Sequence, residues 1–155
     1  MKVINNFLSE EECKNLIEKF KSLDGNFILF KKRYLINLDN WLKEQLFIDI
    51  IKKFKRNDTK ISSIQIVFWP IGESHGWHDD SKHYDITSIT YLNEGYEGGR
   101  TIVEDVEIKP ETGRYVEFNS NKKHMVTELI SGHRFVLLCW YKNEKNSSGQ
   151  NNRTF

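Results

Sequence analysis

Four residues in this 155-residue chain have the types and spacing to do chemistry: His78, Asp80, His124 and Arg134. A His-x-Asp pair is followed by a lone His 44 residues after the Asp, and by an Arg ten residues beyond that. Two imidazoles and one carboxylate on one face of an octahedral metal are the donor set of a non-haem Fe(II) site. The other three coordination positions stay open for a chelating anion and dioxygen. The guanidinium adds a fixed cation that could clasp the far carboxylate of such an anion.

Each element is weak alone. With 5 His and 8 Asp in the chain, about 0.26 His-x-Asp pairs are expected by chance, and there are two, because His83-Tyr84-Asp85 also fits. Alternation along a strand puts His78 and Asp80 on one face and turns Asp79 away. His75-x-x-His78 could be half of a zinc site, but no cysteine lies nearby and the spacing is not helical. His83 reads as a polar loop residue. His124, after Asn121-Lys122-Lys123, could be a surface turn residue. The frame downstream of it argues otherwise: a strand around Val126 and Leu129, a turn at Ser131-Gly132, and a strand from Phe135 to Tyr141 predict a hairpin with His124 and Arg134 on neighbouring strands. Arg134 opens an apolar strand, so its charge needs a buried anionic partner, either a nearby Asp or Glu or a ligand.

The bulk composition is permissive. The length suits one domain with a real core. A net charge of +1, from 23 basic and 22 acidic residues, carries no nucleic-acid or membrane signature. Cys13 and Cys139 lie far apart and read as reduced, buried thiols. The segment Met1 to Leu8 is too short and polar for a secretory signal, and no apolar run approaches the roughly 20 residues of a membrane helix. These features predict a soluble, cytoplasmic protein.

The positioning elements divide the chain. Residues 2–8 read as an edge strand and turn. Ser9 with Glu12 forms a capping box for a helix over 10–22, carrying Cys13, Leu16, Ile17 and Phe20 on one stripe. Residues 26–37 suit a short β segment, and a second helix is predicted over 39–55. Its basic end, Lys52, Lys53, Lys55 and Arg56, suits the helix dipole. From Ile61 to Trp69 the texture turns β-branched and aromatic, and strands follow at 86–92, 100–108, 114–118, 123–130 and 133–141. Two helices before a run of strands predict a mainly β sandwich or barrel with helices packed on one outer face. Residues 1–142 are expected to form a single domain, and 143–155 a polar, mobile C-terminal tail.

Taken together, the motifs resemble the Fe(II)/2-oxoglutarate-dependent dioxygenases, in their prolyl 4-hydroxylase-like branch, over residues 2–141. Val3 to Cys13 resembles the family's opening strand and first helix. Trp69-Pro-Ile-Gly72 is similar to a Tyr-x-x-Gly placed nine residues before the ligand His, which selects His78/Asp80 over His83/Asp85. Thr87 to Asn93 resembles the strand ending in Tyr-Leu-Asn, and Gly98-Gly99-Arg100-Thr101 the Gly-Gly-x-Thr turn. Pro110 to Phe118 leads to the distal His124, and Gly132-His-Arg134 to Trp140 closes the pattern. Two positions depart from the pattern or vary within it. Trp69 replaces the usual Tyr, and an indole cannot mimic a phenol, so that role is not carried over. Arg134 stands where collagen-type members have Lys and oxygen-sensing members Arg.

The resemblance implies a double-stranded β-helix (jelly-roll) with helices packed on one sheet. It implies Fe(II) held by His78, Asp80 and His124, and 2-oxoglutarate bound through Arg134 and Tyr91, although Tyr91 also reads as a plain core Tyr. It further implies dioxygen as co-substrate, ascorbate as reductant, and hydroxylation of a peptidyl proline in a protein or peptide partner. Trp77 and Tyr96 would stand at the substrate rim. Two other readings stay open: the same chemistry on a free amino acid or small metabolite, and a non-catalytic metal-binding jelly-roll.

Overall fold

The computed structural model describes residues 1–144; most of the expected tail, residues 145–155, lies outside the described residues. The strands are β1 (Lys2–Ile4), β2 (Ile28–Phe30), β3 (Arg33–Asn37), β4 (Thr59–Trp69), β5 (His75–His78), β6 (Ile86–Tyr91) and β7 (Glu97–Gly98). They continue with β8 (Thr101–Val103), β9 (Val106–Ile108), β10 (Tyr115–Asn119), β11 (His124–Val126), β12 (Leu129–Ser131) and β13 (Arg134–Asn143). Two helices, α1 (Glu10–Ser22) and α2 (Gln45–Phe54), precede β4.

A seven-stranded sheet runs β1-β10-β6-β13-β4-β3-β2, and a four-stranded sheet runs β5-β11-β8-β9. All pairings are antiparallel, and β12 and β7 form a separate ribbon. This is the expected jelly-roll, and alternation along its central strands builds it. On β4, Ile64 and Ile66 face the helices while Val67 and Trp69 face the small sheet. On β13, Leu137, Cys139 and Tyr141 face the helices, and Val136 faces inward. β13 is covered on two sides, which is why Phe135 to Tyr141 reads as a continuous apolar run, and β4 shows the same texture over Ile66 to Trp69.

The helices pack on the outer face of the large sheet through Cys13, Leu16 and Phe20 of α1 and Phe47, Ile50 and Phe54 of α2. The capping box holds in both directions: Ser9 Oγ accepts from the Glu12 amide, and Glu12 accepts from the Ser9 amide. Lys53 bridges α2 to Glu12 at 2.6 Å. Among the described residues, no helix is long and apolar enough to cross a membrane.

Three expectations need correction. The second helix does not run unbroken from 39. A 3-10 turn at Leu38–Trp41, capped by the Asn37 side chain, precedes α2. Glu44, between the two, takes an extended conformation (φ −89°, ψ 110°) that does not occur inside an α-helix, so α2 starts afresh at Gln45. The segment 100–108 is a hairpin of two strands, turned at Glu104 with φ 55°. The segment 123–130 splits into β11 and β12, which belong to different sheets.

The break before α2 is testable. Leu38→Ala should cost about 2–5 kcal/mol of unfolding free energy in urea, as for a buried leucine. Leu42→Ala, at an exposed position of the same turn, should stay within about 0.5 kcal/mol. Equal, small losses would place Leu38 outside the core.

Candidate metal centre and anion pocket

His78 ends β5, and His124 opens β11 directly opposite it in the small sheet. Asp80 lies two residues past β5, and its amide donates to the Ser120 carbonyl at 2.8 Å. The three side chains each offer one donor atom, all within 4.8 Å of one another. His78 Nε2 stands 3.9 Å from Asp80 Oδ1, and His124 Nε2 stands 3.5 Å from Asp80 Oδ2.

The surroundings fix which ring atoms converge. His78 Nδ1 lies 2.7 Å from the Gly76 carbonyl and His124 Nδ1 3.0 Å from the Lys122 carbonyl. A carbonyl only accepts, so each Nδ1 is the donor in its contact and each Nε2 is the atom left to meet a metal. Burial also pushes the His124 pKa down, which favours the neutral ring that a metal requires. Asp80 Oδ2 accepts from Thr87 Oγ1 and from Trp140 Nε1, both at 2.9 Å. Thr87 Oγ1 lies a further 2.9 Å from Ser120 Oγ. Second contacts of this kind orient metal ligands. Two imidazoles that turn Nε2 toward an anchored carboxylate fit a divalent metal.

The other candidates separate cleanly. Asp79 turns outward and binds Lys123 Nζ at 2.5 Å, which, with Ser81, holds its carboxyl down at about 2. Asp80 is beyond the end of β5, so alternation within one strand is only part of why the two Asp diverge. His83 is exposed and Asp85 accepts the Asn143 amide, so the rival pair forms no cluster. His75 stacks on His78, with ring centroids 3.7 Å apart, and burial pushes its pKa down to about 3.

The predicted hairpin between His124 and Arg134 does not form. β12 pairs with β7, and its Leu129 exchanges hydrogen bonds with the backbone of Gly72 and Glu73. Its backbone groups are thereby committed before β13 begins. Arg134 instead pairs with Trp69 in the large sheet, and it faces His124 across the interior. Both line one cavity of about 480 Å³, a size suited to a small ligand.

Arg134 is 1% exposed, and among the described residues no carboxylate sits within ion-pair distance of it. Its Nη2 donates to Thr101 Oγ1 at 3.1 Å, while Nε and Nη1 are buried without partners. Its guanidinium carbon lies 4.6 Å from the Trp69 ring centroid. Trp69 Nε1 and the hydroxyls of Tyr91 and Tyr96 are also buried without partners. Burial pushes both tyrosines up, Tyr96 to about 12, so both remain O–H donors. Gly99 permits the approach: its φ is 58°, and a Cβ there would stand 2.9 Å from Arg134 Cδ. A cation among unpartnered donors fits a buried carboxylate. Tyr96, expected at the rim, turns its hydroxyl inward toward this end, whereas Trp77 is 54% exposed.

Sequence reasoning missed Thr87, Ser120 and Trp140 behind Asp80, Thr101 behind Arg134, and Arg33. Thr101 stood within a quoted motif, and Trp140↔Thr87 is a cross-strand pair that only the register discloses.

A partly buried His-Asp-His cluster carried by a double-stranded β-helix fits a metal-dependent oxygenase. The chain belongs to the 2OG-Fe(II) oxygenase superfamily, whose family model matches residues 64–142. That family's metal is Fe(II) and its co-substrate is 2-oxoglutarate. A PKHD-type hydroxylase of Synechococcus sp. (strain CC9605) is 28% identical over 137 residues, covering 81% of this chain and 60% of that protein. The chain thus spans about 60% of that relative's length. A second PKHD-type hydroxylase, from Shewanella baltica, is 23% identical over 98% of this chain and 82% of its own. In fold, the chain is similar to the prolyl hydroxylase of Trichoplax adhaerens solved with a hypoxia-inducible-factor peptide, with a TM-score of 0.71, 18% identity, and 95% and 85% of the two chains covered. It is likewise similar to the viral collagen prolyl hydroxylase of Paramecium bursaria Chlorella virus-1, with a TM-score of 0.67, 19% identity, and 92% and 94% covered.

The contacts behind Asp80 yield a prediction. Thr87→Val and Trp140→Phe should each weaken divalent-metal binding about 10–100-fold in calorimetry, with thermal melts showing a retained fold. A loss under about threefold would mean that Asp80 is oriented without them.

Proposed function

We propose that the protein is an Fe(II)- and 2-oxoglutarate-dependent hydroxylase, with His78, Asp80 and His124 holding the metal and Arg134 the co-substrate. The observation that carries the reading is the pairing, in one cavity, of a three-donor cluster with a buried guanidinium that has no carboxylate partner among the described residues. When bound, iron and 2-oxoglutarate supply oxidative decarboxylation to succinate and carbon dioxide, coupled to hydroxylation of a C–H bond by dioxygen.

The chain's own residues supply the rest. Arg134 binds the distal carboxylate, and Tyr91, Tyr96 and Trp69 offer further donors to it. Trp69 thus takes a donor role through its indole N–H, without standing in for a phenol. Val67, Val126 and Leu138 line the cavity and exclude water. The charges close: the metal with Asp80 leaves +1, Arg134 adds +1, and a dianionic co-substrate neutralises both.

A peptidyl proline in a protein or peptide is the substrate we favour, supported by fold neighbours named as prolyl hydroxylases. Trp77, exposed on β5 beside His78, is the residue we favour to touch it. Ascorbate would serve as reductant. We also read residues 1–142 as one domain, and the cytoplasm as its location. Two buried, unpaired thiols, Cys13 and Cys139, support a reducing compartment.

Succinate formation with Fe(II) and 2-oxoglutarate tests the chemistry. His124→Ala should abolish it, and equal succinate from wild type and variant would refute the metal assignment. Arg134→Ala should raise the 2-oxoglutarate KM at least about 30-fold, the loss typical of one partner of a buried charge pair. An unchanged KM would remove Arg134 from the site. A gain of one oxygen on proline in a treated proteome, read by mass spectrometry, would distinguish a peptidyl proline from a small-molecule target.

A further inference from the structure

A second buried cation faces the same cavity. Arg33, the first residue of β3, is 7% exposed, and its guanidinium carbon also lies 4.6 Å from the Trp69 ring centroid. The register explains this. Tyr34 pairs with Phe68, and Phe68 pairs with Phe135, so one step further along lie Arg33, Trp69 and Arg134. The three side chains form a row across adjacent strands β3, β4 and β13, with the indole between two guanidinium groups.

The two arginines differ in where they point. Arg134 sits deep with Thr101, Tyr91 and Tyr96. Arg33 Nη1 lies 3.2 Å from His75 Nδ1, and His75 stacks on His78. Arginine has no acceptor, so His75 accepts through Nδ1 and is neutral in that contact. Arg33 therefore stands one imidazole away from a proposed metal ligand. Its Nε is buried without a partner.

The co-substrate does not satisfy this cation. Metal, Asp80, Arg134 and a dianion already sum to zero, leaving Arg33; Lys31, at the tip of the β2–β3 hairpin, also lines the cavity but is exposed to solvent. His75 and His83 add no negative charge. Glu73 acts on Arg33 through space but has no oxygen within ion-pair distance of it, so the Arg33 guanidinium keeps hydrogen-bonding capacity that the Glu73 carboxylate does not fill.

We propose that Arg33 determines specificity: the cavity takes a substrate that carries a carboxylate close to the hydroxylated carbon, and Arg33 holds that carboxylate. This rests on the hydroxylase reading above and narrows its substrate. The carboxylate could belong to an Asp or Glu side chain beside the target residue of a peptide, or be the α-carboxylate of a free amino acid.

The test measures binding to protein loaded with Mn(II) and 2-oxoglutarate, by calorimetry, using matched pairs of probes. One pair is a capped Gly-Pro-Gly peptide and its Asp-Pro-Gly and Gly-Pro-Asp counterparts; the other is L-prolinamide and L-proline. In at least one pair, the carboxylate-bearing member should bind about tenfold or more tightly, and the pair that responds identifies the source. Arg33→Gln should remove that difference and Arg33→Lys should restore part of it, both with melts showing a folded protein. Equal binding within every pair, including none by any member, overturns the proposal. A difference that survives Arg33→Gln, or a fall in 2-oxoglutarate affinity in its place, also overturns it. Failure of the wild type to bind 2-oxoglutarate at all would instead refute the hydroxylase reading.

Discussion

The Arg134 guanidinium, buried to 1% exposure and with no carboxylate beside it among the described residues, is the constraint on which the rest of this molecule turns. Burying an unpaired charge costs several kcal/mol, a large share of the net stability of a domain this size. The fold carries that cost at a defined place. Arg134 leads the strand at the centre of the large sheet, where β4 and β6 flank it on both sides. The cation is held rigidly by Trp69, Thr101 and the narrow approach at Gly99. A dianionic ligand with one carboxylate at Arg134 and its other end at a metal would relieve this cost. Stability and ligand binding are thereby coupled through a single residue.

The metal cluster is built the opposite way, from the ends of elements. His78 is the last residue of β5 and His124 the first of β11, while Asp80 sits in the turn between β5 and β6. Residues at strand ends have fewer neighbours to hold them, so orientation comes from specific hydrogen bonds. Gly76 and Lys122 carbonyls fix the imidazoles; Thr87 and Trp140 fix the carboxylate. Thr87 and Trp140 belong to the large sheet, so Asp80 is tied to the sheet that carries Arg134. The two sheets are thus registered against each other through the carboxylate. A slip of one strand by one residue would turn Trp140 away from the interior and loosen the ligand.

How much of this was legible in the sequence follows from the range of each interaction. The α1 capping box spans three residues, and both partners were readable from Ser9 and Glu12. The strands were legible from texture, and the donor set from residue type and spacing within a recognisable frame. What failed was pairing. The turn signal at Ser131-Gly132 is real, and Gly132 does adopt φ 83°, yet the turn joins two sheets and makes no hairpin between them. A local turn signal says that the chain reverses and says nothing about which partner each strand finds. The unbroken helix over 39–55 failed similarly. Its periodicity looked continuous, but the extended backbone at Glu44 interrupts it.

The residues left unread share one property: their partners lie across strands, at separations that sequence spacing does not encode. Thr87 meets Asp80 only because the turn folds back, and Trp140 meets it 60 residues on. Arg33 looked like one more basic residue after Lys31 and Lys32 in an exposed hairpin. Its neighbours Lys32 and Tyr34 are indeed exposed. Strand alternation alone turns Arg33 inward, and pairing with β4 sets it beside Trp69. The departure from Tyr to Trp at position 69 then acquires a physical sense. A larger, flat π-surface can lie between two guanidinium groups, and a cation stacks better on an indole than on a phenol. The substitution and the second arginine are therefore best understood as one feature, a cation–indole–cation row that stores positive charge at the mouth and the base of one cavity.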